Sequence, residues 1–246
     1  MIDISLKEDE EIHDLGYSNL RIIQKNHGFK FGIDSILLAD YSKKIKKNSI
    51  VVDIGTGTGI IAILLAAKTS LKKIYAVEIQ PELADMARRS VELNNLNDKV
   101  EVINANIKDI CNYVNKNSVD VIVSNPPYKK AETGLKNTEK NKLISRHEIE
   151  CNFEDIARES KKLLKDNGVI CVIHRPERIV DVVCMFRKYR LEPKNIRFVQ
   201  SRINEAPKMF LIKAVKGAGE FLKIEKPLII YNNEEYTEEL KKIYNL

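Results

Sequence analysis

No apolar stretch of this chain approaches the roughly 20 residues needed to cross a bilayer; the densest, Ile60 to Ala67, falls far short. The opening Met-Ile-Asp-Ile-Ser-Leu-Lys lacks the basic-then-apolar layout of a signal peptide, so no targeting segment is expected. Cysteine is sparse: Cys111, Cys151, Cys171 and Cys184 show no Cys-x-x-Cys spacing, and His13, His27, His147 and His174 do not cluster with them. That argues against a metal site and reads as reduced, buried thiols in a cytoplasmic protein. Repeats, low-complexity tracts and an interdomain linker are also missing.

What is present is a chain of 246 residues, 43% hydrophobic, enough to bury a substantial core in one large α/β domain or a domain plus appendage. The net charge of +6 is uneven. Residues 129–148 hold six basic and three acidic side chains, and residues 175–202 hold eight basic and three acidic. Two basic segments on an otherwise slightly acidic chain point to an anionic partner, nucleic acid included, although lysine-rich faces are often only solvated.

Hydrophobic periodicity gives the order of elements. After an acidic lead (Glu8 to Glu11), Asp34 or Ser35 can cap a helix running through Leu37, Leu38 and Ala39. The strand Ile50–Ile54 runs into Gly55-Thr56-Gly57-Thr58-Gly59 and an apolar helix from Ile60, the opening of a nucleotide-binding βαβ unit. The G-x-G-x-G spacing departs from the dinucleotide pattern, and Asp53 inside the strand would repel a pyrophosphate yet suit a cationic ligand. The next strand, Lys73–Glu78, ends in an acid about 20 residues beyond the loop, where a carboxylate reaches ribose hydroxyls. Pro81 opens a helix ending near Asn94-Asn95. A third strand, Val100–Asn104, leads to Asn106.

The fourth strand, Val119–Ser124, stops abruptly at Asn125-Pro126-Pro127-Tyr128. Proline cannot donate to a sheet ladder and restrains the preceding residue, so a stiff loop follows the strand. The Asn125 side-chain oxygen and the Pro126 carbonyl can each accept one N–H of a flat amine, with the Tyr128 ring stacked on its plane. Beyond it, a helix from about Phe153 to Leu164 is expected to end at Asn167-Gly168, followed by a strand over 169–173 and a helix from Pro176. Two strands, 195–200 and 209–215, are joined too briefly for a helix and should pair antiparallel at the sheet edge.

The chain resembles the Rossmann-like methyltransferases that use S-adenosylmethionine (AdoMet), in the cofactor loop from Val51 to Gly59 and in Glu78. Asn125-Pro126-Pro127-Tyr128 is similar to the motif of enzymes that methylate planar amino or amide nitrogens. The segment Lys30-Phe31-Gly32-Ile33-Asp34-Ser35, with Leu37-Leu38-Ala39 and Arg146-His147-Glu148, resembles the tRNA adenine-N6 methyltransferases acting just 3′ of the anticodon of a valine tRNA. The resemblance implies an α/β fold: one Rossmann-like domain with a seven-stranded, mostly parallel sheet, an antiparallel edge strand and helices on both faces. Within it, residues 1–48 form a lead closing over the cofactor, 49–216 the core and 217–246 a tail. Asn125, Pro126, Pro127 and Tyr128 would be catalytic. Phe31, Gly32, Asp34, Asp53, Gly55, Gly57, Gly59, Glu78 and Asn106 would bind AdoMet. Lys129, Lys130, Arg146 and His147 would meet tRNA. Asn106 stands where the family usually has an acid for the adenine amine. Neither membrane nor metal is expected, and the oligomeric state stays open, a monomer being compatible. Alternatives are a guanine N2 of ribosomal RNA, a glutamine amide of a release factor, or a non-catalytic AdoMet-binding module.

Overall fold

The computed structural model describes residues 4–27, 32–127 and 153–244. A hairpin of β1 (Glu10–Asp14) and β2 (Arg21–Lys25), which buries Ile22, Ile23 and Gln24, comes first, and α1 (Ile33–Ser42) follows. Then come β3 (Ile50–Ile54), α2 (Ile60–Lys68), β4 (Lys73–Glu78), α3 (Pro81–Leu93), β5 (Val100–Asn104) and a short 3-10 turn over Ile107–Asn112. The second half contains β6 (Val119–Ser124), α4 (Phe153–Leu163), β7 (Leu164–His174), α5 (Ile179–Lys188), β8 (Leu191–Gln200) and β9 (Met209–Lys216). The tail adds β10 (Lys223–Ile224), β11 (Leu228–Ile229), a small hairpin of β12 (Tyr231–Asn232) and β13 (Glu235–Tyr236), and α6 (Glu238–Tyr244).

The seven long strands β3 to β9 form the expected sheet, ordered β8-β9-β7-β6-β3-β4-β5, with the two-residue strands β10 and β11 extending it alongside β8. Strands β3 to β7 are parallel, and β9 is antiparallel to both β7 and β8. Among the seven long strands the reversed strand, expected at the edge, therefore sits one place in, behind β8. The crossover through α5 sets β8 one position away from β7, and β9 turns back to fill the gap.

Helix α2 is buried at every residue from Ile60 to Ala66, because it is covered on one side by the sheet and on the other by α1. Each such Ile or Leu contributes roughly 1.5–3 kcal/mol by leaving water. Helix α3, by contrast, keeps one apolar stripe (Ala84, Met86, Ala87, Val91) inward, and Pro81 occupies its first turn, where no N–H is needed.

Several boundaries differ from the sequence reading: β7 begins at Leu164 rather than 169, β8 at Leu191 rather than 195, and α5 at Ile179, after a 3-10 turn over Pro176–Arg178. Helix α4 ends at Leu163, and the chain enters β7 at Leu164 rather than capping at Asn167-Gly168. Asn167 is left-handed (φ 62), and the β6–β7 register shifts between Val119 and Val121. The Asn-Gly pair thus serves a strand irregularity, not a helix stop. The acidic lead is the hairpin: buried Glu10 receives two hydrogen bonds from Arg89 of α3, at 2.6 and 2.7 Å, which hold its carboxyl below the usual range.

Candidate functional site

All five parallel strands end at one edge of the sheet. Ile54 pairs with Val77 on one side and Ser124 on the other, Glu78 pairs with Asn104, and Ser124 pairs with Val172. The register therefore brings the glycine loop, Glu78, Asn106 and Asn125 together along that edge. Functional groups belong there because parallel strands direct their following loops into the same crevice.

The glycine loop is tied to β4 by the Gly55 and Thr56 amides, both donating to the Val77 carbonyl at 2.9 and 3.0 Å. Gly57 has φ 59, and a Cβ there would meet nothing within 4 Å. Backbone rotation, not crowding, demands glycine, and the face above the loop is open to a ligand. Gly59 differs, since its Cβ would lie 3.4 Å from that of Ala87 and it lets α2 approach α3. Glu78 closes the cradle: its carboxylate accepts from Gly57 N at 2.9 Å and from Gln80 N at 3.0 Å.

Asp53 lies beneath the loop rather than on its surface. It is fully buried, with Oδ2 accepting from the Thr56 hydroxyl at 2.6 Å. Burial pushes its carboxyl up to about 7, opposed by the Thr56 hydroxyl and the Ala62 backbone and aided by the charge of Glu78. Asn106 caps the 3-10 turn, its Oδ1 accepting from Lys108 N at 3.0 Å. One lone pair of the oxygen expected to meet an adenine amine is thus already engaged.

Asn125 starts the loop after β6, where the Ser124 hydroxyl donates to the Ile54 carbonyl at 2.9 Å and locks the two strand ends together. Pro126 is buried and Pro127 exposed. The Asn125 amide nitrogen donates to Asp34 Oδ2 at 3.2 Å and to Ser35 Oγ at 3.3 Å. Helix α1 therefore begins earlier than the sequence implied: Gly32 is its N-cap, and neither Asp34 nor Ser35 caps it by side chain. The Asp34–Ser35 contact with Asn125 links residues some ninety positions apart, so no local pattern could reveal it. Phe31, Tyr128, Lys129, Lys130, Arg146 and His147 lie outside the described residues.

One further residue at this edge was not singled out from sequence. His174 ends β7, two residues past the partner of Ser124, and is packed between Phe210 (centroids 6.4 Å, stacked) and Phe153 (6.3 Å, edge-on). Burial, then the charges of Arg178 and Arg175, push it down to about 4, so it is a neutral ring. Its Nδ1 accepts from Arg175 N at 2.8 Å, which puts the ring proton on Nε2. The only sequence signal was its position at a strand end.

The basic segment 175–202 divides in two. Arg175 and Arg178 follow β7 and Arg202 follows β8, at the edge that bears Asn125; Lys208, beyond the segment, precedes β9 at the same edge, and Arg175 Nη1 donates to its carbonyl at 3.3 Å. Arg187, Lys188 and Arg190 gather where α5 meets β8, whose first residue pairs with Lys216 at the other end of the strands. There Arg187 pairs with Glu192 and Glu220, and Lys188 with Glu154. Among the described residues, no group of His, Cys, Asp and Glu could hold a metal ion. No helix among them is long and apolar enough to cross a membrane.

A parallel sheet with a G-x-G-x-G loop, a strand-end acid on the next strand and Asn-Pro-Pro after the fourth defines a Rossmann-like, AdoMet-dependent methyltransferase. The chain belongs to the methyltransferase small domain family, whose sequence model matches residues 30–183. It is 31% identical over 219 residues to a protein of Phocaeicola vulgatus named tRNA1(Val) (adenine(37)-N6)-methyltransferase, covering 87% of this chain and 90% of that one. A protein of Trichodesmium erythraeum with the same name is 35% identical over 167 residues, 66% of this chain and 67% of its own length. Among solved structures, a predicted O-methyltransferase from Agrobacterium tumefaciens matches with TM-score 0.71 at 22% identity, over 86% of this chain and 95% of its own. M. jannaschii TYW2 in complex with AdoMet matches with TM-score 0.58 at 19% identity, over 86% and 88%. These two likenesses concern the fold.

Proposed function

We propose that the protein transfers a methyl group from AdoMet to the exocyclic N6 amine of an adenine in tRNA, at the position 3′ of the anticodon of a valine tRNA. The observation that carries this reading is the β3–β6 register, which sets Asn125 and Pro126 beside the glycine loop. The names of the relatives supply the nucleotide and the RNA.

The cofactor fits the residues present: Gly55 and Gly57 leave the cradle open, Glu78 offers a carboxylate to a ribose diol, and the acid Asp53 lies below. When bound, AdoMet would supply an activated methyl on a sulfonium, a centre whose departure as a neutral thioether balances the new C–N bond. The protein's part is alignment. The amine lone pair is delocalised into the adenine ring, and acceptors at Asn125 Oδ1 and the Pro126 carbonyl hold its two hydrogens so that the lone pair points at the methyl. The methylated nitrogen then sheds a proton to water without a strong base. Tyr128 stacks the unstacked base. Gly32, Phe31 and Asp34 close the methionine end, and Asn106 meets the adenine amine of the cofactor. Lys129, Lys130, Arg146 and His147 extend the RNA surface. The single-domain reading is supported by a core that joins Leu15 and Ile22 of the lead to Leu228 and Leu240 of the tail. A tRNA substrate and the lack of a long apolar helix among the described residues are consistent with a cytoplasmic protein.

Incubation with labelled AdoMet and separate pools of tRNA, ribosomal RNA, DNA and release factor, followed by nucleoside analysis, tests the reading. N6-methyladenosine in tRNA is expected. N2-methylguanosine in ribosomal RNA or a labelled release factor would replace it with another substrate, and AdoMet binding without transfer to any pool would indicate a non-catalytic module.

Two results follow from charge. Reversing Arg175, Arg202 and Lys208 to Glu should raise KM for tRNA about tenfold and flatten its salt dependence by about three released counterions, with AdoMet affinity unchanged. Reversing Arg187 and Arg190 should do neither, since they sit at the far end of the strands; equal effects from both sets would make the attraction a matter of net charge alone.

The second result concerns pH. Because the folded pKa of Asp53 is raised to about 7, the folded chain holds a proton that the unfolded chain gives up. Its contribution to stability therefore falls as pH rises from the unfolded value toward about 7. A cationic ligand above the loop favours the carboxylate, so AdoMet affinity should rise several-fold between about pH 5.5 and 7.5, with proton release visible by calorimetry in different buffers. Asp53→Asn should abolish that slope; an unchanged slope would assign it to another group.

A further inference from the structure

We infer that Asp34 is a positioning residue for the transfer step, dictating which end of the Asn125 amide faces the substrate amine; this rests on the proposed amine methylation at Asn125. An asparagine amide has two ends of nearly equal size and opposite polarity, and only the oxygen can accept an amine N–H. Turned over, Asn125 would oppose its own NH2 to the NH2 of the substrate, two donors face to face.

The Asn125 nitrogen is 3.2 Å from Asp34 Oδ2 and 3.3 Å from Ser35 Oγ. A hydroxyl can donate or accept, so Ser35 would tolerate either end of the amide. A carboxylate only accepts. Asp34 therefore excludes the inverted amide, and with the nitrogen directed at α1 the oxygen is turned away from it. Asp34 itself is held: its residue is 6% exposed, and its Oδ1 accepts from the Ser35 amide at 3.0 Å. Gly32 makes room for this arrangement, because a Cβ at that position would lie 2.6 Å from Asp34 Oδ1 and displace the carboxylate. Helix α1 thus reaches across to β6 and sets the polarity of the catalytic amide before any substrate arrives.

The test is single-turnover transfer to tRNA at saturating AdoMet, with AdoMet titration of each variant. Asp34→Asn, which keeps the shape and lets either end of Asn125 bind, should slow transfer about thirtyfold at saturating AdoMet, over and above any change in cofactor affinity. Ser35→Ala should cost only a few-fold, and Gly32→Ala, which moves the carboxylate without removing it, should fall between them. The decisive variant is the exchange Asp34→Asn with Asn125→Asp. A carboxylate at 125 has two equivalent oxygens, one to take the amide N–H from position 34 and one for the substrate. Transfer should return to within about fivefold of wild type, whereas Asn125→Asp alone, facing Asp34, should stay slow. A merely structural role would give no such rescue.

Wild-type rates in Asp34→Asn at saturating AdoMet, with or without lost cofactor affinity, would overturn the inference and confine Asp34 to the cofactor or make it a bystander. If wild type transfers no methyl to tRNA, the substrate reading fails, and the amide is read directly. In protein labelled with 15N-asparagine, the Asn125 side-chain NH2 signals should be shifted and slow to exchange in wild type and ordinary in Asp34→Ala. Identical signals in both would refute the positioning role whatever the substrate.

Discussion

Asn125→Ala should fold, bind AdoMet as wild type does, and transfer methyl at least about a hundredfold more slowly, a loss of about 2.7 kcal/mol. The backbone survives because Pro126 and Pro127 still restrain the loop and Ser124 still ties β6 to β3 through the Ile54 carbonyl. What disappears is the acceptor for one amine hydrogen. Leaving that N–H unpaired in a desolvated pocket costs about 1–3 kcal/mol, and the misdirected lone pair adds to it. The bond strengthens as the nitrogen becomes tetrahedral, so the deficit belongs to the transition state and falls on kcat rather than KM. The truncation also strips Asp34 and Ser35 of their shared donor, so a small change in melting temperature should accompany the kinetic loss. Single-turnover transfer beside AdoMet titration reads both. Near-wild-type transfer would make the loop a strand terminator and move the chemistry elsewhere.

Glu78→Ala should weaken AdoMet binding about a hundredfold, again about 2.7 kcal/mol, while leaving transfer at saturating cofactor far less affected. Two losses coincide. The carboxylate that would receive the ribose hydroxyls is removed, with charge-assisted bonds of about 1.5–3 kcal/mol. The Gly57 and Gln80 amides also lose their acceptor, and Gly57, held in the left-handed region, is free to leave the conformation that opens the cradle. Glu78→Gln keeps one acceptor oxygen but turns an NH2 toward a donor, so its loss should be about tenfold. Calorimetry with AdoMet measures this, with NAD as a second ligand. Affinity within threefold of wild type for Glu78→Ala would remove this residue from the cofactor site, and binding of NAD in place of AdoMet would sink the methyltransferase reading altogether.

How much was legible depended on whether an interaction is local in the chain. Strand β3, its glycine loop and α2 were readable because an apolar run, backbone rotations open to glycine and a helical apolar run follow within twenty residues. The abrupt end of β6 was readable because proline acts on its own neighbour. The spacing from Gly57 to Glu78 was readable because one βαβ unit has a nearly constant length, and the structure closes it with a 2.9 Å hydrogen bond. The same locality misled at Asn167-Gly168, where a pair that often ends a helix instead serves an irregularity against β6, a strand more than forty residues earlier.

The sequence by itself determined the order of elements, the chemical types at the strand ends and the resemblance to methyltransferases, since each is carried by neighbours in the chain. Only the tertiary structure decided that Asp53 lies under the loop, that Arg187, Lys188 and Arg190 of the second basic segment are far from the site, and that Asp34 grips Asn125. Burial, charge pairing and a contact spanning 91 residues are properties of packed elements, and a linear pattern holds no measure of the distance between them.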